Sequence, residues 1–258
     1  MTATPKAGAS LSRQSLALPI LFTAAALATF IGLGTWQLQR KAWKDGLTQS
    51  LEARLTAAPA ELPPSLRWPS LTASANEFRR VKFTAAFVPG EEALVFAGGG
   101  STFRPDISGS GYWVFAPARL ADGGTVVINR GFVPEGRQDP SARTAPGAAP
   151  QEMTGVMRWP ESAAWFTPPG ERSRNIWFVR DPLAIADAKG WANVAPFFIE
   201  LESPPPPGGL PQPGPLRVKL RNEHLQYALT WYALAVVIVV MFAIWLRGRH
   251  RDAATSPG

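Results

Sequence analysis

The chain has 258 residues, a formal net charge of +7, two histidines and no cysteine. That composition excludes disulfides, thiolate metal sites, thioether-linked haem and redox thiols, and it argues against a multi-histidine metal centre within one chain. A basic balance suits nucleic acid, a membrane surface or acidic ligands; with no nucleic-acid motif and with Lys and Arg gathered beside two apolar runs, the membrane reading is preferred and a nucleic-acid partner is not expected.

The first run, Leu16 to Trp36, carries no charge over a length that suffices to cross the hydrocarbon core, about 20 residues. Lys6 and Arg13 precede it, Arg40, Lys41 and Lys44 follow it, and Trp36 and Trp43 suit an interfacial aromatic belt. Ala26-Leu27-Ala28 has the form of a signal-peptidase site, but the apolar run continues through it, so a retained anchor is expected. Ala24, Ala28 and Gly32 recur every four residues, a small-residue stripe that permits close packing against the second span or against a partner, or a chance pattern in an Ala-rich run.

The middle of the chain reads as β. Short β-branched and aromatic stretches bounded by turn residues predict strands in FRRVKFTAAFV, EALVFAG, GYWVFAPA, TVVINRGFV, MTGVMRW, NIWFV, PFFIEL and LRVKL. ADGG, between GYWVFAPARL and TVVINRGFV, predicts a hairpin turn. RDPLAIADAKG predicts a helix capped by Asp181, with Pro182 in its first turn and Gly190 at its end. QDPSARTAPGAAP and SPPPPGGLPQPGP predict loops. AGGGSTFRPD is Gly-rich but lacks the Lys-Ser/Thr of a phosphate loop.

In LRVKLRNEH, Leu216, Val218 and Leu220 alternate with Arg217, Lys219 and Arg221, which places three cations on one strand face. Asn222 is expected to cap a second membrane helix whose first turn holds Glu223 and His224. The uncharged run continues to Leu246, and Arg247, Arg249 and Arg251 then mark a cytoplasmic end. The expected fold is therefore a membrane protein of α+β class, with two transmembrane helices flanking a mostly antiparallel β extracytoplasmic domain. Its parts are a cytoplasmic tail (1–15), a first span (16–36), a β-rich domain (37–223), a second span (224–246) and a cytoplasmic tail (247–258).

A Ser-His-acid hydrolase needs an imidazole in a cleft, and with one histidine at the membrane face and one in the tail that chemistry is disfavoured. His224 points elsewhere. The positive end of the helix dipole favours a neutral ring there, and the neutral ring is the form that ligates metal. Tyr227 and Trp231 follow at i+3 and i+7 and make an aromatic wall, while Arg217, Lys219 and Arg221 stand near in sequence. Imidazole to iron, macrocycle against aromatics and propionates to cations suit a haem. The same residues also suit a plainer role: a hydrogen-bonding histidine, interfacial aromatics and cations that meet lipid headgroups.

GTWQLQRKAWK, VINRGFVP and RNEHLQYALTWYALA, together with EFRRVKFTAAF, GYWVFAP and RNIWFVRD in the same order, resemble the Surfeit locus protein family, the Shy-type assembly factors of cytochrome c oxidase. The resemblance covers nearly the whole chain. It implies a non-enzymatic protein of the respiratory chain that helps to mature oxidase subunit I, binding haem a transiently and taking it from haem A synthase, with His224 as the axial ligand and haem iron as the only metal. It also carries over Trp36, Gln37 and Arg40 from the first motif and Asn129, Arg130 and Gly131 from the second, without individual roles; Gly131 suits a turn or bulge, and Arg130 suits a structural ion pair or a contact. The short Ala- and Ser-containing start, without an Arg-rich presequence, gives the expectation of a bacterial inner membrane, with both termini cytoplasmic and the central domain periplasmic. Without cysteine, copper delivery through thiolates is disfavoured. Two roles remain, a haem-carrying delivery factor and a structural membrane chaperone of subunit I that does not itself bind haem.

Overall fold

In the computed structural model, residues 16–98, 104–217 and 222–255 are described. The chain divides into two units, Leu47–Leu220 and a second made of Met1–Gly46 with Arg221–Gly258.

The helical unit is built from α1 (Ala17–Thr56) and α4 (His224–Thr255). Both are long and apolar enough to cross a membrane. Each helix outlasts its expected apolar span: α1 runs on past Trp36 and α4 past Leu246. The backbone hydrogen-bond ladder does not stop where hydrophobicity stops, and neither span is followed by a glycine–proline break.

The two helices run antiparallel, with Phe30 stacked on Trp231 at 5.6 Å and Thr35 Oγ1 3.2 Å from the Tyr232 hydroxyl. The small residues that let them approach are not the expected ones. Ala24, Ala28 and Gly32 are exposed, and a Cβ on Gly32 would meet nothing within 4 Å. Gly34 is buried instead, and a Cβ there would lie 2.8 Å from the Tyr232 ring; on α4, Ala228 and Ala235 are buried. Gly34→Leu is therefore expected to push the helices apart at a cost of about 1–3 kcal/mol, read as a lower midpoint in a detergent denaturation series, with Gly32→Leu near wild type.

The β unit contains β1 (Ala60–Glu61), α2 (Ala73–Asn76), β2 (Arg80–Phe87), β3 (Ala93–Ala97), β4 (Gly111–Leu120), β5 (Thr125–Pro134), β6 (Gln151–Arg158), β7 (Ile176–Trp177), α3 (Pro182–Lys189) and β8 (Val194–Ser203). The strand order is β1-β2-β6-β8-β5-β4-β3-β7, and β2 also pairs with β4. That extra pairing joins β2, β6, β8, β5 and β4 into a closed five-stranded ring, which removes the free edges of an open sheet. Antiparallel pairing dominates, with β1–β2, β3–β7 and β5–β8 parallel.

Alternate residues fill the ring: Val81, Phe83, Ala85 and Phe87 from β2, Met153 and Met157 from β6, and Phe197, Ile199 and Leu201 from β8, with Trp68 joining the same core. The other face of β4, β5 and β8 is covered as well, with Phe115, Val127 and Phe198 packed around Ile185 of α3. Burial on both faces explains why these strands read as continuous apolar runs. Each fully buried Phe or Met stabilises by roughly 1.5–3 kcal/mol.

Local signals hold where the chemistry is local. Asp181 Oδ1 accepts from the Leu183 and Ala184 amides and caps α3, which ends at Gly190 with φ 72°. The ADGG turn closes the β4–β5 hairpin, with Gly123 at φ 84° and Asp122 Oδ1 accepting from the Gly124 amide. NIWFV shortens to the two residues of β7. In LRVKL, Leu216 is buried and Arg217 exposed, neither is in a strand, and 218–220 lie outside the described residues.

Candidate functional site

The motif GTWQLQRKAWK enters the helical unit as two neighbouring stripes of α1. Trp36, Arg40 and Trp43 recur at i, i+4 and i+7, and so do Gln37, Lys41 and Lys44 one residue later. The first stripe is exposed, with the Arg40 guanidinium 4.1 Å over the Trp43 ring. This is an interfacial arrangement: a broad amphipathic aromatic surface carrying a cation. The second stripe is half-buried.

On that second stripe, Gln37 Oε1 lies 2.7 Å from His224 Nδ1. An amide oxygen only accepts, so Nδ1 carries the hydrogen and donates it, and the lone pair of the neutral form then lies on Nε2. A hydrogen-bonded ring nitrogen that fixes the tautomer of the other is the usual outer support of a metal-ligating histidine. Gln37, Lys44, Glu223, His224 and Tyr227 line one open depression of about 380 Å³. The residues present fit an iron macrocycle, with an oriented imidazole, an aromatic face beside it and a Lys44 cation for an acid group.

A second polar tie joins α1 to the residues just before α4. Asp45 accepts from Lys41 Nζ at 2.6 Å through one carboxylate oxygen and from Asn222 Nδ2 at 2.7 Å through the other. Asn222 is thus not the expected N-cap: α4 begins at His224, and the Glu223 carbonyl accepts from the Tyr227 amide at 3.3 Å. Asp45 holds the Asn222 side chain through its Nδ2 donor, a charge-assisted bond, and the Oδ1 that a cap would use to accept from a helix amide has no hydrogen-bond partner among the described residues.

The expected aromatic wall divides. Tyr227 is exposed and lines the depression, whereas Trp231 does not line it and is taken up by its stack on Phe30. Of the three expected cations, Arg217 alone is among the described residues. Arg217 belongs to the β unit, where the Asp106 carboxyl is held below its usual range first by the Arg104 hydrogen bond and additionally by the Arg217 charge. Lys219 and Arg221 lie outside the described residues. Lys44 is the basic residue that lines the depression, and its i+7 spacing from Gln37 was the sequence signal for it.

The second motif belongs to the β unit. Asn129 is buried and donates through Nδ2 to Glu200 Oε2 at 2.6 Å, and its Oδ1 accepts from the Gly131 amide. Arg130 donates to the Thr144 carbonyl at 2.9 Å, a backbone acceptor where a carboxylate partner was one expectation. Gly131 sits in a bulge: Trp113 pairs with Phe132 and Phe115 with Asn129, so Arg130 and Gly131 oppose one residue of β4. Its φ is 130°, and a Cβ there would collide with the Gln212 backbone. Among the described residues no group of three or more His, Asp or Glu side chains is placed to hold a metal ion.

A sequence model of the SURF1 family matches residues 24–236. A SURF1-like protein of Monosiga brevicollis is 34% identical over 267 residues, spanning 100% of this chain and 96% of its own. Surfeit locus protein 1 of Homo sapiens is 34% identical over 233 residues, with 85% and 75% covered, and that of Rattus norvegicus is 34% identical over 218 residues, with 80% and 69% covered. The match takes in Gln37, the Asn129–Gly131 bulge and His224 alike, and the chain is a member of the SURF1 family.

Proposed function

We propose that the chain is an assembly factor of cytochrome c oxidase, and not an enzyme, that holds haem a at His224 and assists its insertion into oxidase subunit I. The observation that carries this reading is the Gln37–His224 hydrogen bond, which orients Nε2 as a ligand. Haem a is the cargo, and subunit I requires its iron macrocycle. His224 would supply a ligand nitrogen, Gln37 would hold the ring, Tyr227 would offer an aromatic face and Lys44 would offer charge to a propionate. Haem A synthase is the donor and membrane lipid the surroundings, in a bacterial inner membrane with both termini cytoplasmic.

A second reading rests on a different observation. The exposed Ala24, Ala28 and Gly32 stripe faces away from α4 and suits close approach of a partner helix. A structural chaperone of subunit I needs that stripe but not His224 as a ligand.

The test is complementation. In a strain lacking this gene, wild type is expected to restore the haem a content of purified oxidase, and His224→Ala to leave it well below wild type at equal membrane abundance. Full restoration by His224→Ala would favour the chaperone, and loss of restoration by Ala28→Leu with His224 intact would do the same.

A further inference from the structure

Most buried arginines of the β unit meet a carboxylate. Arg104 meets Asp106 at 2.8 Å, Arg143 meets Glu92 through two nitrogens, Arg158 meets Glu77 at 3.3 Å, and Arg180 meets Glu200 at 3.0 Å. Arg130 does not. Its relative exposure is 4%, and its hydrogen bond goes to the Thr144 carbonyl, while the Phe87 ring lies 5.6 Å from its guanidinium carbon. One carbonyl and one ring face do not use all five N–H donors of the guanidinium, and none of its nitrogens is both buried and unpaired, so the spare donors remain accessible.

The same side chain lines a cavity of about 80 Å³, walled by Phe87, Thr144, Gln151 and the Pro204–Pro207 segment. That space exceeds what one water needs, about 10–15 Å³ by the same measure. The four prolines have no N–H to offer, so the guanidinium, the Gln151 carboxamide and the Thr144 hydroxyl are the donor side chains that line it. Thr144 is held in place by accepting from the Gly208 amide at 3.1 Å, which ties the two covering loops together. The nearby charges oppose each other, and Glu92 is already bound by Arg143. Burial, the largest cause, pulls the Arg130 pKa down to about 10, with Arg143 adding to the fall and Glu92 opposing it.

We propose that Arg130 and the loops over it form a binding site for a small oxyanion, a carboxylate or a phosphate, on the β unit. A planar guanidinium presents paired donors to either group, and an anion here supplies the charge that other buried arginines receive from Asp or Glu.

The experiment is thermal unfolding of the purified full chain in detergent, with sodium acetate or sodium phosphate titrated against sodium chloride at matched ionic strength. Wild type is expected to show a saturable rise of about 3 °C or more near ten times Kd in acetate or phosphate but not in chloride. A response to acetate alone assigns a carboxylate and one to phosphate alone assigns a phosphate. Arg130→Gln is expected to lose the response. Gln151→Glu, which places a carboxylate in the cavity, is expected to unfold at a higher temperature without anion and to lose the response too; it carries the decision if Arg130→Gln does not fold. No saturable rise in wild type, or an undiminished rise in the folded variants, would overturn the site.

Discussion

Gln37→Leu is expected to lower haem a retention by about 10–100-fold, the usual effect of removing the hydrogen-bond partner of a metal-ligating histidine. Leucine is close to glutamine in size but cannot accept from Nδ1–H, so the His224 ring loses both its preferred tautomer and its orientation. Gln37→Glu keeps an acceptor in place and is expected to retain haem. The measurement is haem a bound per purified chain, with the position of the visible absorption bands as a second readout, since ligand basicity affects the bands and simple instability does not. Equal retention by Gln37→Leu and Gln37→Glu would remove the positioning role of Gln37.

Glu200→Ala is expected to destabilise the β unit by about 3–5 kcal/mol, the effect of removing one member of a buried ion pair. Glu200 is buried and accepts from Asn129 through one oxygen and from Arg180 through the other. Its loss leaves Arg180 with Glu161 alone and Asn129 with an orphaned amide. Burial pushes the Arg180 pKa down, but Glu200 and Glu161 together outweigh it and leave the pKa raised. Asn129 in turn holds the Gly131 amide at the bulge, so the damage reaches the middle of β5. Thermal or denaturant unfolding measures the change. A cost below about 1 kcal/mol, the range of an exposed pair, would mean that this network does not hold the ring together.

Much of this architecture is legible in the sequence where one segment carries its own signal. The uncharged runs ending near Trp36 and Leu246 and the Asp181–Pro182 helix start are set by local chemistry. The Gly123 turn is local as well. Closure of the ring is not, because β2–β4 pairing depends on contacts across the fold that no local pattern encodes. The site divides in the same way. His224, Tyr227 and Trp231 share a helical face, yet the side from which α1 approaches decides which aromatic stays available, and Phe30 takes Trp231. Asn222 has the composition of a cap but bonds to Asp45, 177 residues away in sequence. Gln37 carried only a family resemblance until its partner was seen, because nothing within GTWQLQRKAWK says which stripe of α1 meets α4.

The most direct measurement is the visible absorption spectrum of the detergent-purified protein, co-expressed with a haem A synthase, for wild type and His224→Ala. A haem a band in wild type that is lost in His224→Ala is the expected result. A band of equal strength in both proteins, or no band in either, would contradict the role of His224 as the haem ligand.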